Sequence, residues 1–379
     1  MSTNILVINA GSSSLKYALY EFNNFGENLL CSGLIEHIGE KGSKIASHQN
    51  AFQKMFIELK KICPLSAIAA VGHRVVHGGN LFYQPTMIND LVLKKLHTFD
   101  ELAPLHNPYN LLGVKICRAK LKCPHTGIFD TGFHHGLPEK AKIYAIPYKY
   151  TVKDQIRRFG FHGISHEYVA REAAKILKRP FEKLKIITCH LGNGASMAAI
   201  DHGKSVDTSM GFTPLEGLVM GTRCGDVDPA IVSYLMQKER FSRKQIFSML
   251  EHESGLKGIC GHNDMREIFV GIKKGDKHCL LAFNIFCYRA VKYLSAYLAV
   301  LQGADAIVFT AGIGEHQHAV RHEIIAPLHF LGISLDIKKN QNHETIISTA
   351  QSSIPVFVIP TNEALLIARQ TLELVKKKK

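Results

Sequence analysis

Apolar and polar positions along this chain switch between a period of two and a period near four, and each switch marks an element. Ile5-Leu6-Val7-Ile8 is a short apolar run rich in β-branched residues, which predicts a buried strand. A small polar turn follows at Asn9-Ala10-Gly11-Ser12-Ser13-Ser14, and Leu15 to Tyr20 resumes as a second strand. The stretch from Ile186 to Ser196 lays over Ile5 to Leu15 strand on strand, with Gly192 on Gly11, and another strand follows from Met197 to Ile200. An internal repeat outranks a local motif in fixing a fold. The pattern therefore predicts a duplicated domain with a ligand cleft between the copies.

Helical spacing places helices at Ala51 to Ile62, Asp90 to Leu102, Pro108 to Lys122 with Asn107 as cap, and Glu167 to Leu177 with Ser165 as N-cap. Further on, helices are expected at Pro229 to Gln237, Arg243 to Glu251, Asp264 to Gly271 and Lys277 to Leu301. Short apolar runs predict strands at Ala67 to Val71, before Asp130, at Ile143 to Pro147, Ala306 to Thr310 and Val356 to Ile359. Strands alternating with helices give an α/β architecture with a mixed sheet in each half. The boundary between the halves is expected near residues 150 to 185.

Composition narrows the function. Hydrophobic residues make up 46% of the 379 and charged residues 21%, as in a folded, water-soluble protein. The longest apolar stretch, Cys279 to Leu301, is broken by Arg289 and Lys292 and reads as a buried helix, so no membrane partner is expected. Nine cysteines with no C-x-x-C pair fit reduced thiols in a cytoplasmic protein. The net charge of +14 is spread along the chain rather than clustered, which favours small anionic ligands over nucleic acid.

Polar clusters then fall where α/β proteins bind ligands, at strand ends. The first turn offers backbone amides to phosphate oxygens, with Lys16 at its exit, though an ordinary Ser/Gly hairpin reads the same way. Arg74 and Arg223 each sit among glycines, and a guanidinium fork matches phosphate or carboxylate. Asp130 is a candidate partner for a metal or an arginine, and His162 a candidate donor to a phosphoryl group or a packed core histidine. Walker A and G-x-S-x-G motifs are absent, which argues against a P-loop kinase and a serine acyl transferase.

Five motifs together resemble the acetate kinase family. They are Val7 to Lys16, Gly72 to Gly79, Phe161-His162-Gly163, His190 to Gly194 and Thr213 to Arg223, and the resemblance runs from Asn4 past Glu363. It implies the duplicated actin-like (ribonuclease H-like) fold, with an acetate-side domain at 1–150, a nucleotide-binding domain at 151–361, and a last helix at about 362–379 packing back on the first. It also implies reversible phosphoryl transfer between ATP and acetate, giving acetyl phosphate and ADP, in a homodimer with Mg²⁺ (or Mn²⁺). Carried residue by residue, the nucleotide site falls on Lys16, His190, Leu191, Gly192, Asn193, Gly194, Asp264, Met265, Arg266, Gly312, Ile313, Gly314, Glu315 and His316. Asn9 and Glu363 would hold the metal, and Val76, Leu105, Phe161 and Pro214 the acetate methyl. Arg74 would bind acetate, Asp130 would move a proton, and His162 and Arg223 would stabilise the transition state, the two arginines converging on the phosphoryl group.

Elementary chemistry disputes one of these roles. A small carboxylic acid titrates near 4, as carboxyl side chains do, so acetate is already an anion at neutral pH and needs no base. Asp130 is therefore expected to orient Mg²⁺ or an arginine, with Asp130→Asn losing activity but keeping its titrations. Cys224 beside Arg223 invites oxidative inhibition, and His316 stands where the family commonly has asparagine. The alternatives are a kinase for propionate or another short acid and, in a different class, an ATP-dependent binding module of the actin or Hsp70 kind.

Overall fold

The computed structural model describes residues 2–104 and 106–377, in two compact units. One holds the chain up to His135 together with the segment from Asn362 onward; the other holds Gly136–Thr361. The first contains strands β1 (Thr3–Ala10), β2 (Leu15–Asn23), β3 (Gly26–Ile35), β4 (Ile68–Val75), β5 (Thr86–Met87) and β6 (His125–Phe129). The second contains β7 (Lys185–Leu191), β8 (Ala195–Asp201), β9 (Lys204–Thr208), β10 (Ala306–Thr310) and β11 (Val356–Val358).

The two sheets repeat one plan. The first runs β3-β2-β1-β4-β6-β5 and the second, read in the same direction, β9-β8-β7-β10-β11. In each, two antiparallel pairings (β1–β2–β3, β7–β8–β9) are followed by two parallel ones (β1–β4–β6, β7–β10–β11). β1 and β7 lie inside their sheets with both faces covered, which accounts for their unbroken apolar runs: Ile5 to Ile8 are at most 2% exposed and Ile186 to Cys189 are 0%. Helix His48–Ile62 packs Phe52, Met55 and Leu59 against Leu6, Ile8 and Leu15. Each such side chain contributes about 1.5–3 kcal/mol by leaving water.

Several expectations need correction. The first unit ends at His135 rather than near 150, because the segment that follows belongs to the second: Arg158 N donates to Lys142 O and its guanidinium to Glu216 at 2.5 Å. Ile143 to Pro147 is a short apolar run like a strand but forms none among the described residues. β4 runs on through Gly72, His73 and Arg74 instead of stopping at Val71. Gly72 consequently serves packing, since a Cβ there would collide with Thr371 and Ile367 of the helix Glu363–Lys376. Asn107 does not cap its helix; its Oδ1 accepts from His77 N and its Nδ2 donates to His77 O. Helix Gly163–Leu177 begins before Ser165, with His162 as its cap. The pattern also missed the edge strand β3, β5 and β9.

Beside Arg74, β4 and β6 bury a histidine pair, with His73 Nε2 and His125 Nδ1 2.9 Å apart. His125 Nε2 donates to Leu121 O at 3.2 Å, so its Nδ1 accepts from His73, whose own Nδ1 has no partner among the described residues. Burial holds both rings below the ordinary histidine value of 6.5. The unfolded chain takes up protons below 6.5 that the folded chain refuses, so stability is full above that value and is lost as pH falls through it. The melting temperature is expected to drop across this window in the wild type and less in His73→Gln; a flat wild-type profile would contradict the assignment.

Candidate active site

In the first unit, four elements bring polar groups to the carboxyl ends of the parallel strands. Arg74 stands near the end of β4, Asn9 near the end of β1, Asp130 directly after β6, and Glu363 in the first turn of the last helix. Arg74 Nε donates to Asp130 Oδ1 at 3.1 Å and its Nη2 to Asp130 Oδ2, a two-point fork. Nη1 reaches Asn9 Oδ1 at 3.4 Å, and Nε lies 3.7 Å from Glu363 Oε2. Burial loosens the Arg74 guanidinium's hold on its proton, and the Asp130 and Glu363 carboxylates outweigh this and keep it charged. Burial, helped by Glu363 and opposed by Arg74, pushes the Asp130 carboxyl up to about 6.

This cluster is built from behind by residues that the sequence did not flag. Asn110, on the helix Asn107–Lys120, accepts from Val76 N at 2.9 Å and donates to Ala10 O at 2.6 Å. It thereby fixes the exits of β4 and β1 together, while Asn107 holds His77. Tyr20 donates to Asn362 Oδ1 at 3.1 Å and so steadies the cap of the last helix beside Glu363. Lys16 is exposed on β2, opposite Asn9 in register. Val76 is buried, and Leu105 lies outside the described residues.

The second unit carries a cleft of about 480 Å³. Gly192 and Asn193 line it from the turn between β7 and β8, Asp264, Met265 and Arg266 from a helix start, and Gly312, Ile313 and His316 from the short helix Ala311–His316 after β10. Asn263 and Gln317 complete the lining and had no motif to reveal them. Arg266 donates repeatedly to Asp264 and holds its carboxyl below the usual range. Leu191 is core, and Gly314 and Glu315 brace the short helix Ala311–His316 instead of lining the cleft. Glu315 Oε1 accepts from Ala311 N at 2.8 Å and Thr361 N at 3.1 Å, supporting Ala311 at a φ of +64°. Arg321, wholly buried, donates to both Gly314 O and Glu315 O.

Beside this cleft the turn at Gly194 gathers the second pair of candidates. A Cβ on Gly194 would stand 3.3 Å from His162 Cε1, 3.4 Å from His162 Nε2 and 3.5 Å from Arg223 Nη1, so imidazole and guanidinium flank one glycine. Gly221 N donates to Asn193 O at 3.0 Å and moors the Arg223 segment to the same turn. Arg223 meets only neutral acceptors, Pro214 O at 3.4 Å and Met220 Sδ at 3.8 Å, with no carboxylate in ion-pair range among the described residues. Burial lowers its affinity for the proton, and the Glu251 carboxylate opposes this from a distance. Phe161 is buried at the foot of this group. Cys224 donates to Gly225 O, and burial pushes its thiol up, away from the thiolate that oxidation needs.

Gly194→Ala is expected to lower kcat about tenfold, since the methyl must displace His162 or Arg223 by a few tenths of an ångström. Steady-state kinetics with an unchanged melting temperature would establish this; full activity in the alanine variant would separate the turn from the chemistry.

Relatives supply the wider context. A sequence profile described as the acetokinase family matches residues 4–369. An acetate kinase from Carboxydothermus hydrogenoformans is 47% identical over 398 residues, covering 99% of this chain and 100% of the relative. The crystal structure of Porphyromonas gingivalis acetate kinase superposes with a TM-score of 0.92 at 40% identity, covering 98% of this chain and 100% of that one. That of a propionate kinase from Francisella tularensis gives 0.92 at 43% identity, covering 98% and 99%. With its two like-ordered sheets and a sequence profile and relatives that match nearly the whole chain, the chain belongs to the acetokinase family.

Proposed function

We propose that this protein catalyses reversible, Mg²⁺-dependent phosphoryl transfer between ATP and acetate, giving acetyl phosphate and ADP by direct in-line displacement. The observation that carries the reading is Arg223: a half-buried guanidinium with no carboxylate in ion-pair range among the described residues, flanking the same glycine as His162. An unpaired buried cation costs stability, and its use is to receive an anion. In phosphoryl transfer the charge spreads over three oxygens, so catalysis consists of positioning and electrostatic stabilisation. Arg223 and His162 supply those donors, and the 480 Å³ cleft beside them takes the nucleotide. In the first unit Arg74 binds the acid, with Asp130 holding the fork in place.

Asn9 and Glu363 offer an amide and a carboxylate oxygen close to Arg74, hard donors of the kind Mg²⁺ prefers, with no thiol or imidazole among them. What Mg²⁺ supplies when bound is neutralisation of phosphate charge. Exposed Ile231, Tyr234, Phe247 and Tyr288 support a homodimer, and nine free thiols support a cytoplasmic setting.

Incubation with ATP, Mg²⁺ and acetate in hydroxylamine should trap the acyl phosphate as a hydroxamate; no hydroxamate would remove the proposal. The propionate kinase relative keeps a second reading open. One methylene in an apolar pocket discriminates by about 1–3 kcal/mol. Acetate is therefore expected to exceed propionate in kcat/KM by at least about tenfold, and the reverse order would reassign the substrate.

A further inference from the structure

Behind His162 lies a file of buried polar side chains that the reaction derived above does not use. Ser196 Oγ stands 2.9 Å from His162 Nδ1 and 2.7 Å from His166 Nε2. On its far side, His166 Nδ1 is 2.7 Å from Thr188 Oγ1. Thr188, His166 and Ser196 are each 0% exposed.

A hydroxyl carries one proton, and a neutral imidazole one N–H and one bare nitrogen. Only two arrangements then satisfy all three bonds and also use the Ser196 proton; a third, in which Ser196 accepts from both rings, buries that proton with no acceptor among the described residues. In the first, Thr188 donates to His166 Nδ1, His166 Nε2 donates to Ser196, and Ser196 donates to His162 Nδ1, leaving the His162 proton on Nε2. In the second every bond is reversed and His162 carries its proton on Nδ1. Thr188 decides between them. Its hydroxyl has no other partner among the described residues, so reversal would bury that proton with no acceptor.

We infer that Thr188, His166 and Ser196 form a one-way hydrogen-bond chain that fixes His162 as its Nε2–H tautomer, which makes Ser196 and His166 positioning residues for phosphoryl transfer. Nε2 is the nitrogen on the side of Gly194 and Arg223. The His190 ring stacks on His162 with centroids 4.2 Å apart and a 20° tilt, and Ser165 Oγ holds His190 Nδ1 at 2.8 Å, so the ring plane is fixed as well. The catalytic consequence rests on the kinase reading; the tautomer is a property of the resting protein.

The test is a two-bond proton–nitrogen correlation spectrum of the full chain with isotope-labelled histidine, His162 being assigned by its loss in His162→Gln. Wild type is expected to show Nε2 protonated and Nδ1 bare. Ser196→Ala should populate both tautomers and lower kcat roughly tenfold, the scale of one hydrogen bond, with KM for ATP and acetate within about twofold. Thr188→Val, close in shape, should also admit the Nδ1–H form. A wild-type His162 protonated on Nδ1 overturns the inference, and so does Ser196→Ala with tautomer and kcat unchanged. Should Ser196→Ala not fold, the wild-type and Thr188→Val spectra decide. The expected tautomer in a protein that forms no acyl phosphate would discard the kinase reading and leave the chain standing.

Discussion

Arg223→Ala is expected to lower kcat by about 10³-fold, the scale on which a donor aimed at developing charge contributes. The same substitution should leave the melting temperature unchanged or raise it. Among the described residues Arg223 has no carboxylate partner to strand and no ion pair to offset the solvation its burial costs. Activity and stability would then move in opposite directions, as they do where a site is held against its own folding energy. Arg223→Lys keeps a charge but not the fork and should recover only part of the rate. Kinetics and thermal melts on the three proteins decide the matter: a large fall in melting temperature with kcat intact would make Arg223 structural.

Asp130→Asn should behave differently, losing on both counts. Arg74 and Asp130 form a buried pair; removing one charge from such a pair costs about 3–5 kcal/mol, of which relief of the burial penalty that pushes the Asp130 carboxyl up to about 6 returns a part. A guanidinium released from its fork is also displaced, and misplacement of this order costs about 10²-fold in kcat. The structure changes how the orienting role is to be separated from proton transfer. With its carboxyl pushed up to about 6, Asp130 loses its charge, and with it part of its hold on Arg74, as pH falls through that value. Wild-type activity should decline there and Asp130→Asn should not, whichever role is right, so retention of the titration no longer discriminates. A solvent isotope effect on the chemical step does: none is expected if Asp130 orients Arg74, and a large one would restore the proton role.

How much of this the sequence disclosed depends on where the partners lie along the chain. β1, β7 and β10 were legible because a strand covered on both faces must be apolar throughout, and the turns after them because glycines and small polar residues announce sharp bends. β3 escaped because it is an edge strand with Leu29 and Leu34 facing solvent, which blurs its alternation. Ile143 to Pro147 misled because a short apolar run says nothing about whether a partner strand exists. Among site residues, those inside motifs could be named, but their supports could not. Asn110 acts on Ala10 and Val76, and Ser196 acts on His162, across long separations that no local pattern encodes. One signal was present: Thr188 and His190 are polar on the same face of an otherwise apolar strand, and Ser196 lies opposite His190 in register.

The last helix carries a consequence for biosynthesis. Glu363–Lys376 packs on β1 and β4, with Thr371 bonded to Thr126 of β6 at 2.7 Å. Translation runs from β1 toward this helix, so β1 and β4 emerge long before the helix that covers that face. The middle unit, by contrast, is continuous in the chain and can mature while synthesis is still under way. A nascent polypeptide stalled short of Asn362 would leave the ribosome with an open apolar sheet, an early substrate for chaperones.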